Sequence, residues 1–282
     1  VYVWIFLIVF GCSTLLNTLN KVGCDYEYLL SDIVTEKKKA QNSNDEHIAN
    51  YLWAEETIVK IVRDFVSVFN LLKQEEFYKA WCAAEQVELC INNLIRNFPD
   101  FYQIVSYHNT IIHQLQRLYP YRLFASYVIN IKREECSICH KPRSIRSMCG
   151  HRKGYVYNGE LCYNTVTDLD IISIDLVQNP VHKYAVLFLS DEKGDNQNDY
   201  DYGLLKGLMT YWKDPFQPWN YRIEDIRLEE KDFSDLTSES LCPCGSGEKY
   251  GACCKNNPLG IKHKKYIFYM DATYEQKSID EY

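Results

Sequence analysis

The stretch Cys242-Pro243-Cys244-Gly245-Ser246-Gly247-Glu248-Lys249-Tyr250-Gly251-Ala252-Cys253-Cys254 holds four thiols at the spacing C-x-C-x8-C-C. Two close pairs joined by a short loop can converge on one tetrahedral ion, and four sulfurs are the soft donor set that selects zinc. The residues between them suit the task. Pro243 stiffens the first turn, while Gly245 and Gly247 permit positive φ, so the backbone can wrap an ion and aim N–H groups at the sulfurs. Four thiolates around Zn²⁺ leave a net charge of about −2, and Lys249 is placed to offset part of it. Tyr250 can cover one side of so small a unit. A disulfide between the adjacent Cys253 and Cys254 would be strained. Cys242, Cys244, Cys253 and Cys254 are therefore expected to hold a structural zinc.

This segment resembles the SEC-C motif, the small zinc finger at the C-terminus of the SecA translocation ATPase and of many smaller bacterial proteins. The pattern CPCGSG-x-K-Y-x-x-C-C is matched nearly throughout. In SecA the finger docks on the chaperone SecB, partly through basic residues. The resemblance implies a protein-docking module here, with Lys249, Tyr250 and Lys255 as partner contacts and a chaperone, ribosome or secretion component as partner. Glu248, Gly251 and Ala252 stand where the family often has lysines, which argues against a SecB-like acidic partner. No G-x-x-x-x-G-K-[ST] phosphate loop occurs in the sequence, so the resemblance is to the finger and not to SecA itself.

With 282 residues the chain can bury at least one sizeable core. Its hydrophobic content of 46% and aromatic content of 14% argue against general disorder. A net charge of −7 does not suit a protein that coats nucleic acid. Eight of the twelve cysteines lie in two clusters, and Cys12, Cys24, Cys82 and Cys90 are scattered. Clustered cysteines at these spacings read as metal sites in a reducing cytosol. Cys82 and Cys90 fall in a helical pattern and read as small buried hydrophobes.

The second cluster runs Cys136-x2-Cys139-x9-Cys149-x-His151-x10-Cys162. C-x2-C presents two sulfurs from one knuckle, and the later residues supply the second pair. Five candidates compete for four positions. The sets are Cys136, Cys139 and Cys149 with Cys162, or with His151 replacing one of the later cysteines; His140, next to Cys139, ranks last. A second Zn²⁺ is expected here.

Around these clusters the sequence reads as α+β: an N-terminal helical bundle, a central zinc-pinned α+β unit and a small C-terminal zinc finger. The boundaries drawn are 1–21, a hydrophobic segment; 22–131, helical; 132–230, the zinc-binding α+β domain; and 231–282, an acidic tether, the finger and a basic–aromatic tail. Residues 1–20 carry no charge. They read as a buried terminal helix or a segment not natural to the mature protein, with a membrane anchor and then a secretory signal as the alternatives. Localisation is accordingly cytoplasmic, or inner-membrane-anchored facing the cytoplasm.

Residues 36–47 read as a charged linker. From Ala49 a 3.6-residue period sets in, through Ile58, Ile61, Val62, Phe65, Val68, Phe69 and Leu72. A second stripe runs from Phe77 through Trp81, Val87, Leu89 and Leu94 to Phe98-Pro99, a third from Phe101 to Leu118, and a fourth helix is expected over 121–131. His108 and His113 read as ordinary helix residues. Past Cys162 the period changes to two. Ile172, Ile174 and Leu176, then 182–189, read as a hairpin, followed by an acidic loop at 191–201. A short helix at 204–212 and strands at 221–228 and 261–270 complete the pattern, the last packed on the finger.

No catalytic residue is assigned, since two saturated metal sites leave no open position for water or substrate. Two alternatives stand. Lys141, Arg143, Arg146, Arg152 and Lys153 crowd the central cluster beside Tyr155 and Tyr157, as a nucleic-acid-binding patch would. Glu160, Asp168, Asp170 and Asp175 would be the carboxylates of a metal-dependent nuclease.

Overall fold

Four amphipathic helices follow one another at the start of the described chain: α1 (Tyr26–Asn42), α2 (Glu46–Lys73), α3 (Phe77–Asn97) and α4 (Tyr102–Leu118). The computed structural model describes residues 19, 25–144, 146, 149–188, 200–229, 235–270 and 275–280, the last by backbone alone. The readings of the 1–21 segment, of Cys12 and Cys24 and of most of the 191–201 loop lie outside these residues. The fold is α+β, and the chain divides into two compact units, Val1–Tyr200 and Asp201–Tyr282. Among the described residues no helix is long and apolar enough to cross a membrane.

The helices begin where their caps put them. The Asp25 carboxylate accepts from the Tyr28 N–H at 3.0 Å, and Asp45 from the Ile48 N–H at 3.1 Å, satisfying donors the first turn leaves open. Pro99 ends the third helical run and opens a 3₁₀ turn (Pro99–Phe101). The expected stripe on α2 is the core: Ile58, Ile61, Val62, Phe65 and Val68 are all buried. On α3, Val87, Ile91 and Leu94 are buried, whereas Leu89 faces solvent at 46% exposure. His108 sits inside the bundle, its ring edge-on to Phe65 at 4.9 Å, and burial pushes its pKa down to about 4, so it is neutral.

Three expectations are corrected here. Residues 36–42 are not linker but the last turns of α1. Lys37 is buried there against Glu56 at 2.7 Å, and Lys60 meets the other Glu56 oxygen at 2.6 Å. Burial of Glu56 opposes ionisation, but these two ammonium groups outweigh it and hold its pKa below the usual range. The connection is only a short turn before Asp45.

The fourth helix is not formed. Residues Phe124–Cys136 are instead β1, antiparallel to β4 (Asn164–Val177). Val128, Ile129 and Ile131 favour extended backbone, and β4 supplies a partner that a local reading does not see.

The hairpin after Cys162 is also not formed. β4 pairs with β1, and residues 182–184 dock on α3. The buried Glu85 carboxylate accepts from the Lys183 and Tyr184 N–H groups, each at 2.7 Å. The Trp81 indole donates to the Lys183 carbonyl at 2.6 Å. Among the described residues this segment pairs with a strand through one bridge, Phe124 to Val186.

The β1–β4 ribbon is amphipathic. Tyr127, Ile129 and Ile131 share one face of β1 through the two-residue period and stand opposite Ile174, Ile171 and Leu169, a register shift after Val128 leaving Ile172 as the extra residue of β4; all six side chains are exposed. Between the ribbon strands lies the small hairpin β2 (Val156–Tyr157) and β3 (Glu160–Leu161).

In the second unit, α5 (Gly203–Tyr211) precedes a three-stranded antiparallel sheet ordered β5 (Trp219–Leu228), β6 (Ile261–Met270), β7 (Glu275–Asp280). Trp212, Trp219 and Phe268 form its centre, with the two indoles 5.7 Å apart. Where the sequence placed β5 before a boundary at 230, β5 pairs with β6, and the register closes on Leu228 opposite Ile261. The finger is thus an excursion from the end of one hairpin.

Candidate metal centres

Residues 240–260 fold by local backbone bonds. The Cys242 N–H donates to the Glu248 carbonyl at 2.8 Å and the Tyr250 N–H to the Ser240 carbonyl at 2.8 Å. Gly245 and Gly247 take φ of +76° and +79°, as the turn between the first thiols and Glu248 requires. Gly251 is needed for another reason: a Cβ there would lie 2.7 Å from Ser238 Cβ and 3.0 Å from its carbonyl oxygen. A family lysine at that position would not fit this backbone.

The ligand atoms of Cys242, Cys244, Cys253 and Cys254 all lie within 4.8 Å of one another. Sulfurs 2.3 Å from a common tetrahedral zinc stand about 3.8 Å apart. Cys244 to Cys253 is 3.6 Å, and Cys253 to Cys254 is 3.7 Å. The donor set and spacing therefore fit a dication with thiolate preference.

The Ser246 hydroxyl lies 3.3 Å from the Cys253 sulfur. The Ser246 side chain, against the opposing effect of burial and with help from Cys242, holds the Cys244 thiol down at about 6. Burial, then Cys242, pushes Cys254 up to about 12. A bound dication would override both and keep every ligand as thiolate.

The same core corrects one expected role. Tyr250 is 2% exposed and packs with Cys242 and Ile261, so it is interior to the finger and not a partner contact. Lys249, expected to balance the sulfurs, pairs with Glu239. Lys255 donates to the Ser238 hydroxyl at 2.7 Å. Leu241 and Leu259 are exposed at 72% and 69% on either side of the ligand run. Sequence reasoning passed over both, although an apolar residue beside a cysteine knuckle is a usable signal.

The central centre is assembled from the base of the ribbon and the loop between its strands. Cys136 ends β1, Cys139 lies in the following turn, and Cys149 and His151 come from the next loop. These four place ligand atoms within 4.8 Å of one another. Cys136 Sγ to His151 Nδ1 is 3.6 Å, and a tetrahedral zinc sharing a sulfur and an imidazole nitrogen sets them about 3.6 Å apart.

Of the five candidates, Cys162 falls outside this set. It is buried, 3.9 Å from the Cys136 sulfur, and accepts from Arg143 Nη2 at 3.1 Å. Burial alone would push the Cys136 thiol up. The N–H groups of Cys139 and Ile138 and the thiols of Cys139 and Cys149 outweigh it and hold the pKa at about 5. His140, with φ of +56°, lies outside the four as well.

The loop carrying this centre is fastened to the helices. The Gly159 N–H donates to Asn50 Oδ1 at 2.6 Å, and the Val156 N–H to Asn97 Oδ1 at 3.0 Å. Gly159 has φ of +75°, and a Cβ there would meet the Ala49 carbonyl oxygen at 3.0 Å.

The other candidates are dispersed. Asp170 pairs with Lys132 at 2.6 Å, Asp175 accepts from Ser173, and Glu160 lies 3.5 Å from Lys37. Asp168 stands opposite Arg133 in the ribbon register. Arg143 and Arg152 line one cavity at the central centre, and Lys141, Arg146 and Lys153 are exposed on the loops around it.

The SEC-C motif family model matches residues 240–256, the finger just described. No curated protein and no solved structure matches the chain.

Proposed function

We propose that this protein is a zinc-held scaffold whose C-terminal finger docks a protein partner. The observation that carries the reading is the finger itself: four convergent thiols on the end of a rigid hairpin, with exposed Leu241 and Leu259 beside them. Zinc would be held by Cys242, Cys244, Cys253 and Cys254 in the finger, and by Cys136, Cys139, Cys149 and His151 in the first unit. Bound there it supplies cross-linking and charge, with no position left open for a substrate.

The chain does the rest. Metal binding fixes a dozen residues before the partner arrives, so docking orders little further backbone. Exposed leucines supply apolar anchor area, and Lys249 and Lys255 lie beside them in sequence as the polar edge.

The test is a pull-down with the full chain, its Cys244→Ala variant and its Leu241→Asp, Leu259→Asp variant. A protein retained by the wild type should be lost from both variants, with the leucine variant keeping its full zinc. Recovery of the same proteins by all three would end the reading.

A further inference from the structure

An open cavity of about 770 Å³ lies against the central metal centre in the first unit. The base of the ribbon forms one wall, with Ile131, Lys132 and Arg133 of β1 and Asn164 of β4. The metal-holding loops form the others, with Arg143, Ser144 and Arg152. Four cationic side chains thus line one cleft, against the Glu134 carboxylate, which accepts from Asn164 Nδ2 at 2.9 Å.

Two of the cations are already engaged. Lys132 is bound to Asp170, and Arg143 to the Cys162 sulfur. Arg133 and Arg152 pair with no carboxylate among the described residues, even though Arg133 stands opposite Asp168 in register. Arg143 Nε and Asn164 Oδ1 are buried without a hydrogen-bond partner among the described residues. Buried polar atoms of that kind call for a ligand or water to satisfy them.

We infer that this cleft binds the phosphate group of a nucleotide, with Arg133 and Arg152 as the principal contacts. Guanidinium forks match phosphate oxygens in pairs. The cavity is larger than a bare oxyanion needs and falls in the range that encloses a small organic ligand. Ile131 lines the cleft, and the nearby Tyr155, exposed at 42%, is tied by its N–H to the carbonyl of the lining residue Arg152 at 3.2 Å; these are groups that a sugar and base could use. An unpaired base stacks on such a ring, whereas an acidic peptide makes no use of it. The acidity of the whole chain does not oppose this, because charges beyond about 10 Å are largely screened at working salt.

The test uses the zinc-loaded full chain, a labelled eight-nucleotide uridine oligomer and adenosine monophosphate as competitor, read by fluorescence anisotropy. Binding of the oligomer should weaken about sevenfold from about 50 to about 200 mM salt, as expected for two phosphate contacts on a single strand. Arg133→Ala with Arg152→Ala should weaken binding at least tenfold at the lower salt, with Lys79→Ala on α3 unchanged. Competition by the monophosphate at comparable affinity identifies a free nucleotide as the source. An oligomer that the monophosphate does not displace identifies a strand. Both results uphold the phosphate site.

Absence of binding by either probe at the lower salt overturns it, as does a zinc-replete double variant that binds within twofold of wild type. If the double variant loses zinc, Arg133→Ala alone decides, with at least a threefold loss expected and no loss overturning the inference.

Discussion

The two cysteine clusters use similar donors in opposite ways. The central centre is one fastening among several. Its loop is also tied to the helices by Asn50 and Asn97, at 2.6 and 3.0 Å, and its ligand Cys136 continues a long paired strand. In the finger, the buried core is Cys242, Tyr250 and Ile261, with Leu236, Cys244 and Cys254 packed on it. Three of those six side chains are candidate metal ligands. A metal that pins a built structure and a metal that stands in for the core should fail differently when removed.

The largest expected effect tests that contrast directly. Structural zinc contributes on the order of 10–16 kcal/mol in small fingers, far more than one tyrosine and one isoleucine can supply. Cys244→Ala should therefore abolish one zinc and expose the amides of 240–256 to full exchange, with the α1–α4 helices still protected. Cys136→Ala should abolish the other zinc and loosen 137–151, yet leave residues 156–159 protected through Asn50 and Asn97. Native mass spectrometry and hydrogen exchange read both. Equal loss of protection around both clusters would erase the distinction.

How far the sequence showed this difference depends on where the determining contacts lie. The finger was legible because its ligands, its positive-φ glycines and its spacing fall within one short run. The helices were legible as far as their period was local, as at Ile58 to Leu72. The ribbon was half legible. Alternation around Ile172–Leu176 marked β4, but its partner lay thirty to fifty residues earlier, where an aromatic and β-branched run after Pro120 read as helix. Alternation also implies a buried face, and here Ile129, Ile171 and Ile174 are exposed. The three lysines at 37–39 looked like a linker because the Glu56 that receives Lys37 lies on the next helix. The fourth central ligand stayed open for the same reason: spacing admits Cys162, and only the fold turns it toward Arg143.

A change of intermediate size should touch the pinned unit and leave the finger alone. Glu55 is 4% exposed, and burial raises its pKa from 4.5 to about 7. A carboxyl with a raised folded value binds more protons folded than unfolded between those limits, so its contribution to stability falls as pH rises from 4.5 to 7. Glu55→Gln removes that penalty. Its gain should approach about 3 kcal/mol at pH 8 and vanish near pH 4, since each pH unit between the folded and unfolded values contributes roughly 1.4 kcal/mol. Thermal melts of the helical signal across pH check this. Zinc retention in the finger has the reverse dependence, because its thiolates take up protons as pH falls. A Glu55→Gln gain that did not grow with pH would mean that the carboxyl is solvated in the folded chain.

The smallest expected effect concerns how each centre balances its thiolate charge. Lys249 is 63% exposed and paired with Glu239, which is 76% exposed. An ion pair so open to water and salt contributes under about 1 kcal/mol. Lys249→Ala should change the finger's zinc affinity by less than about fivefold, the factor that energy represents. At the central centre the half-buried Arg143 guanidinium bonds to Cys162, outside the four candidate ligands, at 3.1 Å, and it also interacts with the thiol of the candidate ligand Cys136. Charge-assisted bonds of that kind are stronger than exposed ones, so Arg143→Met should release zinc to a competing chelator more readily than Lys249→Ala does. Titration of both variants against a chromogenic chelator ranks them. If Lys249→Ala proved the more damaging, the charge balance of the finger would rest on the lysine its sequence position first suggested, and the contrast between a solvent-balanced finger and an arginine-balanced pin would have to be reversed.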